Sequence, residues 1–251
     1  MAKIIAIHSF RGGTGKSNTA ANIAALLAAQ GWRVGVFDTD IQSPGIHAIF
    51  GLTDDDLVFT LNNYLWGECD IDEATYDVTD RLGAHIPGKV FLIPASLDMS
   101  EMKRLMREGY DVSLLNEGFL RALVTLDLDM LVLDTHPGLN DETLLSIAVA
   151  NTLLLILRPD QQDYQGTSIV VTVAQKLEVP RLLLLFNKVP PLFDEQQLRT
   201  RAEQVYQNKV VGVLPHSDEM MTLASSGIFV LRYPDHPITA KLRQVAAALL
   251  D

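Results

Sequence analysis

Residues 3–30 constrain this chain more than any other stretch. Lys3–Ile7 is an apolar run of strand length. Residues 10–17 then read Phe-Arg-Gly-Gly-Thr-Gly-Lys-Ser, and Ser17–Gln30 is Ala-rich with apolar helical spacing, stopped by Gly31. Strand, glycine-rich turn, Lys-Ser and helix together form the context of a phosphate-binding loop. Gly12, Gly13 and Gly15 let backbone N–H groups turn inward around phosphate oxygens. The helix that follows points its positive dipole end at the same anion. Lys16 places a point charge near the β- and γ-phosphates, and the Ser17 hydroxyl offers a ligand to Mg²⁺. Arg11, Thr14 and Asn18 complete the candidate nucleotide-binding segment. Phe10 stands where the usual pattern has glycine. Even so, a chance occurrence of the remaining pattern in a chain this long is on the order of one in ten thousand.

Short apolar runs alternate with helical patterns along the rest of the chain, which predicts an α/β fold: a mainly parallel twisted sheet flanked by helices on both faces. Strands are expected at 33–37, 90–93, 130–133, 152–157, 181–186 and 210–214. Helices are expected at 99–108, 114–126, 142–150, 166–177, 194–207, 218–226 and 239–250. Ligands of open α/β sheets bind at the carboxyl ends of the strands. Asp38, Asp134, Asn187 and Pro215 each follow an apolar run, so all four are expected to face one crevice. No linker divides the chain, and residues 1–251 read as one domain with an acidic elaboration around 52–88.

Composition narrows the function classes. The single cysteine, Cys69, makes no internal disulfide and no cysteine-rich zinc or iron–sulfur site. A reducing cytoplasm fits. No apolar run approaches the roughly 20 residues of a membrane span, and the N-terminus lacks the pattern of a secretory signal. The net charge is −11. It lies in the first 150 residues, with 21 acidic and 10 basic side chains, while the remainder is balanced at ten each. The acids concentrate between Asp54 and Asp80. Such a stretch is a solvated face or a docking surface for a basic partner. The six histidines, including His136 and His85, show no ligand spacing.

Arg11-Gly12-Gly13-Thr14-Gly15-Lys16-Ser17 resembles the deviant Walker A motif of the ParA/MinD family, which reads Lys-Gly-Gly-x-Gly-Lys-Ser/Thr. The resemblance runs over nearly the whole chain. Residues 38–45, Asp-Thr-Asp-Ile-Gln-Ser-Pro-Gly, resemble the family's second acidic motif. Residues 91–96 resemble its central strand and Pro-Ala-Ser turn, and residues 131–138, Leu-Val-Leu-Asp-Thr-His-Pro-Gly, its Walker B strand and switch II. Leu223–Gly227 resembles a segment near the end of MinD-like chains.

The resemblance implies an ATPase that uses ATP and Mg²⁺ and dimerises when ATP is bound. Asp38 and Asp40 would face the γ-phosphate, one serving the Mg²⁺ shell and the other the attacking water, with Asp40 favoured for the water. Asp134 would hold Mg²⁺ through a water. Thr135–Asn140 would be the switch, and His136 a shape element within it. Asn187, Lys188 and Pro215 fall where the family holds adenine. Pro190 stands where a guanine-binding Asn-Lys-x-Asp motif has its aspartate, which argues for ATP. Arg11 replaces the family lysine that reaches the other subunit's phosphates. It is expected to act in trans with Lys16, Asp38 and Asp40 in catalysis, or else to cap only its own loop.

By the same resemblance the protein would position or partition a cargo, with an adaptor stimulating hydrolysis. Two alternatives are a regulatory scaffold with weak hydrolysis and an Mrp-like metal-cluster carrier, which the lone cysteine disfavours. Arg181, Arg199, Arg201, Lys209, Arg232, Lys241 and Arg243 are candidates for non-specific DNA contact, which would place the protein on the nucleoid. The last helix has only two basic residues and no bulky interfacial aromatics, so a membrane surface is disfavoured.

Overall fold

A computed structural model describes residues 2–83 and 86–251; His85 lies outside them. Strands β1 Lys3–His8, β2 Arg33–Asp38, β3 Tyr76–Asp77, β4 Lys89–Ile93, β5 Met130–Asp134, β6 Thr152–Leu157, β7 Leu182–Val189 and β8 Lys209–Pro215 form one eight-stranded sheet. Their order is β3-β4-β2-β5-β1-β6-β7-β8. Every pairing is parallel except that of the short edge strand β3 with β4.

The helices are α1 Lys16–Ala28, α2 Ile46–Ile49, α3 Leu61–Leu65, α4 Met99–Glu108, α5 Val112–Thr125 and α6 Asp141–Val149. They continue with α7 Gln161–Lys176, α8 Glu195–Tyr206, α9 Asp218–Leu223, α10 Phe229–Arg232 and α11 Pro237–Leu250. The parallel strands are buried on both faces, and their side chains alternate between two cores. Ile5, Ile7, Val34, Val36, Leu154 and Ile156 meet α1, α10 and α11 on one face. Ile4, Ala6, Phe37, Leu153, Leu155 and Leu157 meet α5, α6, α7 and α8 on the other. Near-continuous apolar strands are the sequence signature of such a two-sided sheet. Each fully buried aliphatic side chain contributes about 1.5–3 kcal/mol, so both layers are strongly determined.

The elements depart from the sequence expectations in three places. Helix α7 begins at Gln161 rather than at Gly166, because Asp160 caps it: its Oδ1 accepts from the N–H groups of Gln162 (3.1 Å) and Asp163 (3.0 Å). Strand β7 runs on to Val189, so Asn187 and Lys188 lie within it, at a register shift against β8 and with Lys188 left-handed at φ 55°. Strand β3 and helices α2, α3 and α10 are too short to carry a periodic signal.

Four of the nine acids between Asp54 and Asp80 meet a lysine or arginine side chain within the fold. Asp56 meets Arg81 at 3.1 Å, Glu68 meets Arg104 at 2.6 Å, Asp70 meets Arg121 at 2.8 Å and Asp77 meets Lys89 at 3.0 Å. The apolar face of α11 (Ile238, Leu242, Val245, Ala246 and Leu249) is buried against β8 and α1. Among the described residues no helix is long and apolar enough to cross a membrane.

Candidate active site

The strand order sets β1 between β5 and β6, so the loop leaving β1 emerges at the middle of the sheet's carboxyl edge. Two hydroxyls shape it. Ser9 Oγ donates to the Arg11 carbonyl (2.7 Å), and Thr14 Oγ1 donates to Ser9 Oγ (2.8 Å). Gly15 is left-handed at φ 96°, and a β-carbon there would stand 2.5 Å from Asn187 Nδ2. Glycine is thus required twice, for its backbone and for its missing side chain. No side chain caps the start of α1, which leaves its first N–H groups to an anion, with the buried Lys16 beside them.

Three carboxylates gather next to this loop. Asp38 and Asp134 are register partners at the ends of β2 and β5. Asp38 accepts from the N–H groups of Asp40 (3.1 Å) and Gly45 (3.2 Å). Burial, then the neighbouring Asp134 and Asp40 charges, push its carboxyl well above the usual carboxylate range. Among the described residues neither buried oxygen of Asp134 makes a well-formed hydrogen bond, although the Ser17 hydroxyl is close enough to favour its charged form. Burial pushes its pKa up to about 7, while Lys16 and Ser17 pull it back and Asp40 adds to the rise. A buried carboxylate without a well-formed hydrogen bond, beside a hydroxyl and a phosphate loop, fits a divalent cation. Among the described residues no cluster of three His, Cys, Asp or Glu side chains chelates a metal directly. A Mg²⁺ site of one hydroxyl, one or two carboxylates, waters and phosphate oxygens needs no such cluster.

Asp40 is fixed through one oxygen. Its Oδ1 accepts from the Ser43 N–H (3.1 Å) and lies 2.6 Å from His136 Nδ1. Other contacts tie the strand ends together. Thr39 donates from N and Oγ1 to the Asp134 carbonyl, at 2.9 and 3.0 Å. The Thr135 hydroxyl donates to the Ile7 carbonyl (3.0 Å), so it accepts from His8 Nδ1 (2.7 Å) and His8 carries its proton there. Burial, with Lys16 and His136 nearby, pushes the His8 pKa down to about 3.

Asn187 and Lys188 brace the loop. Asn187 Nδ2 donates to the Thr14 carbonyl (2.8 Å) and Lys188 Nζ to the Gly13 carbonyl (2.8 Å). Both line a cavity with Gly15, Asn18, Leu214 and the Met220–Ser225 segment. Asn18 Nδ2 reaches the Ala224 carbonyl there at 3.4 Å. Pro215 ends β8 beside Leu214 and pairs with Val189, outside that lining. Arg11 is held near its own chain: its Nη1 lies 3.6 Å from Oδ1 of both Asp160 and Asp163. Asp163 is buried and already paired with Arg158 at 3.0 Å.

Comparison with known proteins identifies the family and the fold. The sequence matches the family described as AAA domain over residues 2–181. An uncharacterized ATP-binding protein of Methanocaldococcus jannaschii is 30% identical, over all of this chain and 88% of its own. The chain belongs to the ParA/MinD family of P-loop ATPases. These are nucleoside triphosphate hydrolases. An iron–sulfur cluster carrier protein of Pyrococcus furiosus is 25% identical over 98% of this chain and 85% of its own. The fold is that of the septum site-determining protein MinD of Pyrococcus horikoshii, solved with Mg-ADP. The TM-score is 0.80 and the identity 20%, over 99% of this chain and 96% of the other.

In this ParA/MinD ATPase the loop and the three aspartates singled out in the sequence lie together. Sequence reasoning did not single out their neighbours His8, Thr39 and Asp163, and it placed His136 only as a shape element. Their contacts join positions far apart in the chain, and no local pattern signals them.

Proposed function

We propose that this ParA/MinD ATPase binds Mg-ATP at residues 11–18, dimerises when ATP is bound, and uses hydrolysis as a timer in positioning or partitioning a cellular cargo. The observation that carries the reading is the meeting of Lys16, Ser17, Asp38, Asp40 and Asp134 at the ends of three adjacent strands, with neither Asp134 oxygen in a well-formed hydrogen bond among the described residues. Ser17, Asp38 and Asp134 would hold Mg²⁺, directly or through water. The cation supplies neutralisation of charge on the β- and γ-phosphates. Lys16 and the N–H groups of the glycine loop bind phosphate oxygens and stabilise charge that develops on them. Asp40 orients the attacking water. Arg11 serves the partner subunit's nucleotide, and its guanidinium offers a planar fork to two phosphate oxygens. Contacts made only with the γ-phosphate bias the equilibrium between the monomer and the dimer.

Two further features bear on the surface on which the protein would act. The buried apolar face of α11 is not available to a lipid surface. Arg199 and Lys241, two of the candidate DNA contacts, both engage Glu195, at 3.4 and 2.5 Å, leaving fewer free cations on that side. The similarity to an iron–sulfur carrier raises a cluster-carrying role. Against it stand the single cysteine and a Cys69 thiol whose pKa burial and nearby carboxylates push up to about 11, since cluster ligation needs several thiolates.

The test is size-exclusion chromatography with light scattering on an Asp40→Ala variant, with ADP and with ATP-Mg²⁺, followed by a salt titration on non-specific DNA. An ATP-only dimer that binds DNA and releases it with salt is the expected result for a DNA-borne positioning switch. An ATP-only dimer blind to DNA assigns the surface to a protein or membrane. Absence of any nucleotide-dependent dimer makes the regulatory scaffold the better reading.

A further inference from the structure

We propose that His136 is a positioning residue for hydrolysis: it anchors the Asp40 carboxylate through Oδ1 so that Oδ2 is left to accept from the attacking water. The inference rests on the reading of Asp40 as the group that orients that water.

Asp40 leaves β2 on a loop, and nothing in its own segment fixes its carboxylate except the Ser43 N–H at 3.1 Å. The second restraint comes from 96 residues away. His136 Nδ1 lies 2.6 Å from the same Oδ1, with the His136 and Asp40 side chains only 20% and 11% exposed. A carboxylate oxygen only accepts, so Nδ1 carries the hydrogen. Two donors on Oδ1 restrain the carboxylate, and among the described residues Oδ2 accepts no hydrogen bond.

His136 is itself held. It sits two residues beyond Asp134, and its carbonyl accepts from Thr143 Oγ1 in the first turn of α6 (3.1 Å). Asn140 caps that helix by accepting from the Thr143 N–H at 2.9 Å. The ring therefore links the Walker B loop and the start of α6 to the one carboxylate that the cation site does not need. An orienter behind a catalytic carboxylate matters because small displacements of a positioned group cost about a hundredfold in rate.

The experiment measures single-turnover ATP hydrolysis and, separately, affinity for a non-hydrolysable Mg-ATP analogue. It uses the wild type, His136→Ala, His136→Asn, Asp40→Asn and the double variant His136→Ala/Asp40→Asn. Asparagine places an amide N–H at the position of Nδ1. The expected result is a fall in turnover of about 10- to 100-fold for His136→Ala, with nucleotide affinity within about threefold and most of the rate restored in His136→Asn. The double variant should be no slower than Asp40→Asn alone. If His136→Ala does not fold, His136→Gln takes its place, since its amide reaches one bond too far and should be slow. Wild-type or faster turnover in His136→Ala overturns the proposal, and so does equal slowing in the alanine and asparagine variants. Full turnover in Asp40→Asn overturns the Asp40 reading and this proposal with it. An inactive Asp40→Asn beside an active His136→Ala overturns this proposal alone.

Discussion

The ring of Phe10 lies against the backbone of Gly166: a β-carbon on Gly166 would stand 2.2 Å from a Phe10 ring carbon. Gly166 is on α7, one turn beyond Asp163, which faces Arg11. The first two residues of the loop therefore rest on one face of one helix. This explains how the chain tolerates a bulky residue where phosphate loops usually have glycine. In an ordinary helix interior Gly→Ala gains about 1 kcal/mol. Here Gly166→Ala should instead destabilise by about 1–3 kcal/mol through overpacking and weaken nucleotide binding. Phe10→Ala in the same chain should recover the stability. Thermal unfolding and a nucleotide titration on the two single variants and the double variant check this.

Burial of Asp134 makes the stability of the nucleotide-free protein depend on pH. Its pKa is raised from 3.8 to about 7. Its favourable contribution is therefore complete below pH 3.8 and is lost as pH rises through 7, where the fold must hold a buried charge. At pH 8 Asp134→Asn should stabilise the nucleotide-free protein by on the order of 1–2 kcal/mol, with the gain shrinking towards pH 5. The same variant should lose Mg²⁺-dependent nucleotide affinity. Denaturant midpoints at several pH values, with and without Mg-ATP, separate the two effects.

His8 works in the opposite sense. Its pKa is lowered from 6.5 to about 3, so between those values the unfolded chain binds a proton that the folded chain refuses. The stability from His8 is present above pH 6.5 and lost as pH falls through 3. One proton corresponds to a slope of about 1.4 kcal/mol per pH unit. His8→Asn, which keeps a donor for Thr135, should flatten the stability profile between pH 6.5 and 4 relative to the wild type.

Arg11 sits 3.6 Å from Asp160 and from the buried Asp163 within its own chain, and the half-exposed Arg11–Asp160 pair contributes about 0–1 kcal/mol. Asp160→Asn should therefore strengthen ATP-dependent dimerisation by no more than about fivefold, whereas Arg11→Ala should abolish it. Sedimentation of both variants with ATP-Mg²⁺ decides. An Arg11→Ala protein that dimerises normally would reassign Arg11 to its own loop.

Local signals were legible in the sequence and long-range ones were not. The glycine spacing at 12, 13 and 15 specifies the loop because each glycine acts on its own backbone. Asp38 and Asp134 were legible because each follows an apolar run, and two parallel strands in register bring such ends together. The start of α7 was missed because residues 161–165 are polar, and the cap at Asp160 carries the signal instead. Asn187 and Lys188 were expected at a strand end. The strand continues past them, and they hold the loop carbonyls. The contacts of His136 with Asp40 and of Phe10 with Gly166 join positions 96 and 156 residues apart, and only the sheet order brings them together.

The register pairing of Asp38 with Asp134 has a consequence for how the site is loaded. Near neutrality two adjacent buried carboxylates retain a proton that solvent-exposed ones would have lost, even with Lys16 nearby. If this pair holds Mg²⁺ as proposed, arrival of the cation would be an exchange in which hydrogen ions leave as magnesium enters. Acidity would then compete for the site as a rival ligand would, so a drop in local pH would weaken loading at constant nucleotide concentration. The nucleotide-free protein would thus respond to two ions at one place.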